Sequence, residues 1–82
     1  MQEILDEVIE IVSEVMDTDD VTADMYMQDD LEISSLEFYE LLSRLENAFG
    51  VKVPEKILSN VETVEDIAYE VNGIMEKKGI KR

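Results

Sequence analysis

Ser35 has the clearest chemical setting of any hydroxyl in this chain. It lies within Asp29-Asp30-Leu31-Glu32-Ile33-Ser34-Ser35-Leu36-Glu37, where an acidic loop runs into the amphipathic stretch Phe38-Tyr39-Glu40-Leu41-Leu42. A hydroxyl at the mouth of an acidic helix suits the covalent attachment of a group. It is poorly suited to attack a substrate unaided, because a serine nucleophile needs an adjacent base. The chain has no histidine for that task and no cysteine as a nucleophile of its own. A hydrolase built from carboxylates would need two convergent acids around a pocket, and 82 residues leave little room for one.

Two other constellations carry less. The Asp17-Thr18-Asp19-Asp20 cluster resembles the start of a calcium loop, which needs glycine at its sixth position and glutamate at its twelfth. Counting from Asp17 gives Thr22 and Gln28, and counting from Asp19 gives Asp24 and Asp30, so no dedicated metal site is expected. Tyr26, Tyr39 and Tyr69 could stack on bases, but the surrounding charge opposes nucleic acid. They are expected at the edges of the core.

The net charge is −14, and its distribution is uneven. No basic residue precedes Arg44; Lys52, Lys56, Lys77, Lys78, Lys81 and Arg82 follow it. Such a field repels nucleic acid and anionic membrane and draws in basic protein patches. The plain alternative is a solvated acidic surface. A hydrophobic content of 45% is too high for a disordered acidic tail. No apolar run approaches the ~20 residues of a membrane span. The N-terminus lacks the basic start and apolar block of a signal peptide. The expectation is one cytoplasmic, monomeric domain.

The elements that must position Ser35 are helical. Ile4, Val8, Ile11 and Val15 form one stripe, flanked by Leu5, Ile9, Val12 and Met16, and predict a helix over 3–16. It should stop near Asp17, where short polar side chains compete for the backbone. Residues 17–33 form a long connection, a length that is uncommon unless the segment is packed or functional. Val21, Met25, Tyr26, Met27 and Leu31 are candidates to pin it to the core. Ser34 as N-cap and Glu37 three residues on make a capping box for a second helix over 35–49. Its apolar residues cover more than one stripe, so two of its faces are in demand. Gly50 should end it. Pro54 opens a short helix over about 54–59. Thr63 caps the last helix, 63–77, with Asp66 as box partner and Val64, Ile67, Ala68, Val71, Ile74 and Met75 as its core stripe. Residues 79–82 should fray. The fold class is all-α, three long helices and one short one around a single core.

Taken in order, these motifs resemble the acyl carrier protein family, helical domains that hold phosphopantetheine on a serine. The family pattern runs from an acidic pair and leucine to Gly-x-Asp-Ser-Leu and an acidic helix. Asp29-Asp30-Leu31 matches the first part and Ser35-Leu36 the Ser-Leu, with Glu37, Glu40, Leu41, Leu45 and Phe49 following. Phe49-Gly50-Val51-Lys52-Val53-Pro54-Glu55 looks like its Phe-x-Ile-x-Ile-Pro-acid segment, and Thr63-Val64-Glu65-Asp66 like its Thr-Val-x-Asp. The likeness covers about residues 3–75. Four positions depart from the pattern. Ser34 stands for the family's Asp and Glu32 for its Gly. Arg44 adds a positive charge, and Tyr39 replaces a smaller aliphatic residue. These changes point to a specialised carrier.

The resemblance implies a small four-helix bundle with 4′-phosphopantetheine attached covalently to Ser35, carrying acyl or aminoacyl groups as thioesters. It implies no catalysis by the chain itself. The partners would be a phosphopantetheinyl transferase and acyl- or aminoacyl-processing enzymes with basic docking patches. Asp29, Asp30, Glu37, Glu40 and Glu46 are the candidate acidic contacts, and Leu36 and Tyr39 the apolar centre. The competing reading is an unmodified acidic interaction module that keeps the carrier fold. Either way, self-repulsion among the carboxylates should be screened by salt. The melting temperature is therefore expected to rise with ionic strength; a flat response in a salt titration would contradict this.

Overall fold

The computed structural model describes residues 1–79. They form an all-helical fold: α1 (Gln2–Met16), α2 (Ser35–Phe49), α3 (Glu55–Leu58) and α4 (Val64–Lys77). The long helices α2 and α4 both pack on α1, and α3 sits against α4. Residues 80–82, most of the expected frayed tail, lie outside the described residues. Among the described residues no helix is long and apolar enough to cross a membrane.

The hydrophobic period explains the packing. Ile4, Val8, Ile11 and Val12 of α1 are buried, as are Leu41, Leu42, Leu45 and Phe49 of α2 and Val64, Ile67, Ala68, Val71 and Met75 of α4. Val15 and Ile74, expected in the central stripes, are only half-buried at the margin. Full burial of such a side chain stabilises by roughly 1.5–3 kcal/mol. No polar residue is buried among the described ones, so no polar side chain has to be desolvated in the centre.

Each helix end has a local cause. Asp17 adopts a left-handed conformation, φ 54°, after α1. The Thr18 amide donates to the Ser13 carbonyl (3.1 Å) and the Asp17 amide to that of Glu14 (3.3 Å), closing off the last turn. Gly50 at φ 66° ends α2, its amide donating to the Glu46 carbonyl at 2.9 Å. Pro54 stands immediately before α3, whose ends fall one residue inside the expected range.

The long connection is packed onto the core through four of its expected pins, Val21, Met25, Met27 and Leu31, with Ile33 in addition. Val21, Met27 and Ile33 are buried, and Met25 and Leu31 pack partly. Tyr26 is the exception, 45% exposed and outside the core. Its backbone does the work, pairing with Thr63 in an isolated antiparallel bridge. The Met27 amide donates to the Glu62 carbonyl (2.8 Å), and the Val64 and Glu65 amides to the carbonyls of Met25 (3.0 Å) and Ala23 (2.9 Å). The loop before α2 is thus fastened to the start of α4.

Thr63 and Asp66 form a complete capping box there. The Asp66 carboxylate accepts from the amides of Thr63 (3.1 Å) and Glu62 (3.0 Å). The Thr63 backbone bond, then that of Glu62, lowers its pKa below the ordinary 3.8. A carboxylate depressed in the folded state stabilises the fold above its unfolded pKa, and that share is lost as pH falls below about 3.8 through the lower folded value. An Asp66→Asn variant is expected to be less stable near neutral pH, with the difference from the parent shrinking in that acid window. Urea titrations at several pH values would measure it, and a constant difference would contradict the assignment.

Candidate functional site

The capping box fixes where α2 begins. The Ser34 amide donates to Glu37 Oε1 at 2.8 Å, and the Glu37 amide to Ser34 Oγ at 3.2 Å. The Phe38 amide goes to the Ser34 carbonyl at 2.9 Å. This leaves the Ser35 and Leu36 amides without a partner among the described residues. Ser35 is the first helical residue, exposed and not committed to the cap. Its hydroxyl therefore stands beside two open N–H groups at the positive end of a 15-residue helix.

Ser35 borders an open cleft of about 650 Å³ between α2 and α3. Met27, Ile33, Phe38 and Val61 give it apolar lining. Tyr39 and Glu55 stand on opposite walls, and the Tyr39 hydroxyl donates to Glu55 Oε1 at 2.9 Å. That hydrogen bond, and then the nearby Glu55 charge, raise the tyrosine pKa above 10.0, so the phenol keeps its proton at neutral pH. Sequence reasoning missed Glu55 and the lining residues. A spacing of 16 residues gives no local signal for the Tyr39–Glu55 pair.

The other predicted residues separate by surroundings. Leu36 is 82% exposed and Tyr39 52%, which removes a core role for both. Tyr69, at 56%, is likewise no core edge. Asp29 is exposed on the cleft rim. Asp30, also exposed, accepts the Tyr26 amide at 2.8 Å and so shapes the loop. Glu37 spends one oxygen on the cap. Glu40 is bridged by Arg44 at 3.0 Å, and Arg44 reaches Glu14 of α1 at 3.6 Å, so its charge partly offsets that of Glu40. Glu46 is half-buried and turned to the α2–α3 connection, accepting the Val53 amide at 2.8 Å. It serves to fasten that connection. No group of acids suited to a metal ion occurs among the described residues.

A family model described as a phosphopantetheine attachment site matches residues 6–70. The acyl carrier protein of Borreliella burgdorferi is 43% identical over 79 residues, 94% of this chain and 95% of the relative. The meromycolate extension acyl carrier protein of Mycolicibacterium aurum is 33% identical over 93% of this chain and 80% of its own length. A solved Mycobacterium tuberculosis structure, provisionally assigned as an acyl carrier protein, superposes with a TM-score of 0.78 at 25% identity, over 85% of this chain and 96% of the other. The acetyl actinorhodin acyl carrier protein of Streptomyces coelicolor gives 0.69 over 89% and 91%; at 24% identity, that likeness is of fold alone.

These matches define a phosphopantetheine-binding carrier, and the chain belongs to the acyl carrier protein family. It is a non-catalytic carrier of acyl groups on covalent 4′-phosphopantetheine, modified by a phosphopantetheinyl transferase and visited by acyl-processing enzymes.

The departure at Glu32 now has a physical meaning. Glu32 has φ 50°, a left-handed conformation that favours the glycine of the family pattern. Glu32→Gly is expected to raise stability by about 0.5–1 kcal/mol, the relieved strain exceeding the added freedom of the unfolded chain. Ser34→Ala, which removes the cap, should lower it by about 1 kcal/mol. Equilibrium denaturation of the two variants checks both signs.

Proposed function

We propose that Ser35 is the attachment residue, its Oγ joined through a phosphodiester to the arm whose thiol carries the cargo as a thioester. One observation carries this reading: Ser35 is an exposed hydroxyl at the first position of α2, beside two amides that no other described residue uses. A phosphodiester there would accept from those amides and meet the positive end of the helix dipole. The neighbouring Ser34 hydroxyl is occupied by the Glu37 amide, so Ser34 is the cap and Ser35 the acceptor. The adjacent cleft is within the size range of ligand pockets and can shelter the near end of a cargo.

Docking centres on Leu36. A leucine 82% exposed beside the attachment point is a hydrophobic anchor awaiting a partner. Tyr39 extends that patch. Asp29, Asp30 and Glu37 supply the negative field that steers basic docking sites, speeding encounter more than it tightens binding. Glu40 contributes less because Arg44 pairs with it, and Glu46 is engaged elsewhere. We read the helices as a small four-helix bundle, three long and one short, acting as one cytoplasmic, monomeric carrier domain. One core cluster that draws on α1, α2 and α4 supports the single-domain part of that reading.

Coexpression with a phosphopantetheinyl transferase is expected to add one arm to the intact mass. Ser35→Ala should abolish the gain and Ser34→Ala should keep it; the reverse pattern would move the site. For docking, Glu37→Lys would also break the cap, so Asp29→Asn and Glu37→Gln are the informative changes. Together they should slow acyl transfer several-fold at low salt, with the deficit shrinking as salt is added. Equal rates at low salt would remove these acids from docking.

A further inference from the structure

We infer that the Tyr39–Glu55 pair is a latch across the mouth of the α2–α3 cleft and sets which cargo enters it. The inference rests on the assignment of the arm to Ser35. Ser35 and Tyr39 are one turn apart on α2 and both border the cleft, so an arm running from Ser35 toward α3 lies beside the Tyr39 ring. Tyr39 and Glu55 are both exposed, which puts their 2.9 Å hydrogen bond at the rim. The apolar floor lies below, at the buried side chains of Met27 and Ile33. The Phe38 ring meets that of Tyr39 edge-on, centroids 6.5 Å apart at 75°, and holds it in place.

The bond joins two elements that otherwise act as separate walls. Tyr39 is on a long helix whose core face is packed, whereas Glu55 opens the short α3, which rests on α4. A short or polar acyl group can remain at the rim with the latch closed. A longer alkyl chain that spreads between α2 and α3 parts the phenol and carboxylate, which return to water. This pair therefore discriminates by chain length and polarity and handicaps longer alkyl cargo by about fivefold, the worth of one hydrogen bond.

The test compares butyryl- and decanoyl-loaded forms of the parent, Tyr39→Phe, Glu55→Ala and the double variant. A chain seated in the cleft stabilises the fold by mass action, so the readout is the gain in melting temperature from decanoyl over butyryl loading. That gain is expected to be larger in either single variant by about 4–8 °C. The double variant should add nothing further, because one bond can be broken only once. A purely structural bond would shift both loaded forms equally. Gains that are identical in all four proteins overturn the latch. Loading at a residue other than Ser35, or no loading at all, overturns the attachment site and this inference with it.

Discussion

The register of α2 is the constraint on which the rest of the site depends. One reciprocal pair of bonds, between Ser34 and Glu37, decides which residue is the cap and which is the first of the helix. Shifting the start by a single residue would turn Ser35 into the cap and hide its hydroxyl in a bond to the backbone of the first turn. The capping box is modest in energy, on the order of 1 kcal/mol. Its importance is geometric: it frees one particular hydroxyl and two particular amides.

That start is held in place from outside the helix. The connection preceding it is joined by backbone bonds to the beginning of α4, which has its own capping box at Thr63 and Asp66. The two capped ends and the bridge between Tyr26 and Thr63 form one hydrogen-bonded unit. Beneath it, Met27, Ile33 and Val64 belong to the common core. Several acids of this surface take local duties: Asp30, Glu37 and Glu46 each accept a backbone amide, and Glu40 pairs with Arg44.

The long helices were legible because their period is unambiguous. Ile4, Val8 and Ile11 in α1 and Val64, Ile67 and Val71 in α4 fall on single faces, and both capping boxes follow from side-chain types three residues apart. Ser35 was legible for the same local reason. What the sequence concealed was anything decided across the chain. Tyr26 reads as a hydrophobic pin, yet it is held through its backbone, paired with Thr63, and the residue borders the cleft. Glu46 reads as one more surface acid, yet a loop amide seven residues on claims it. Glu55 reads as an ordinary first-turn carboxylate, and its partnership with Tyr39 depends on how two helices approach. The left-handed backbone at Glu32 had only one sequence trace, a glycine missing from the family pattern.

The brevity of α3 has a mechanical consequence. Four residues cannot sustain a helix alone, since nucleation outweighs so few internal bonds. Its order is borrowed from neighbours, chiefly α4, while the first turn of α2 carries its own capping box. The two walls of the cleft therefore differ in kind: one stands by its own bonds, the other only as firmly as what it leans on. If Ser35 is the tether, a load pressing on the second wall would leave the tether's footing undisturbed.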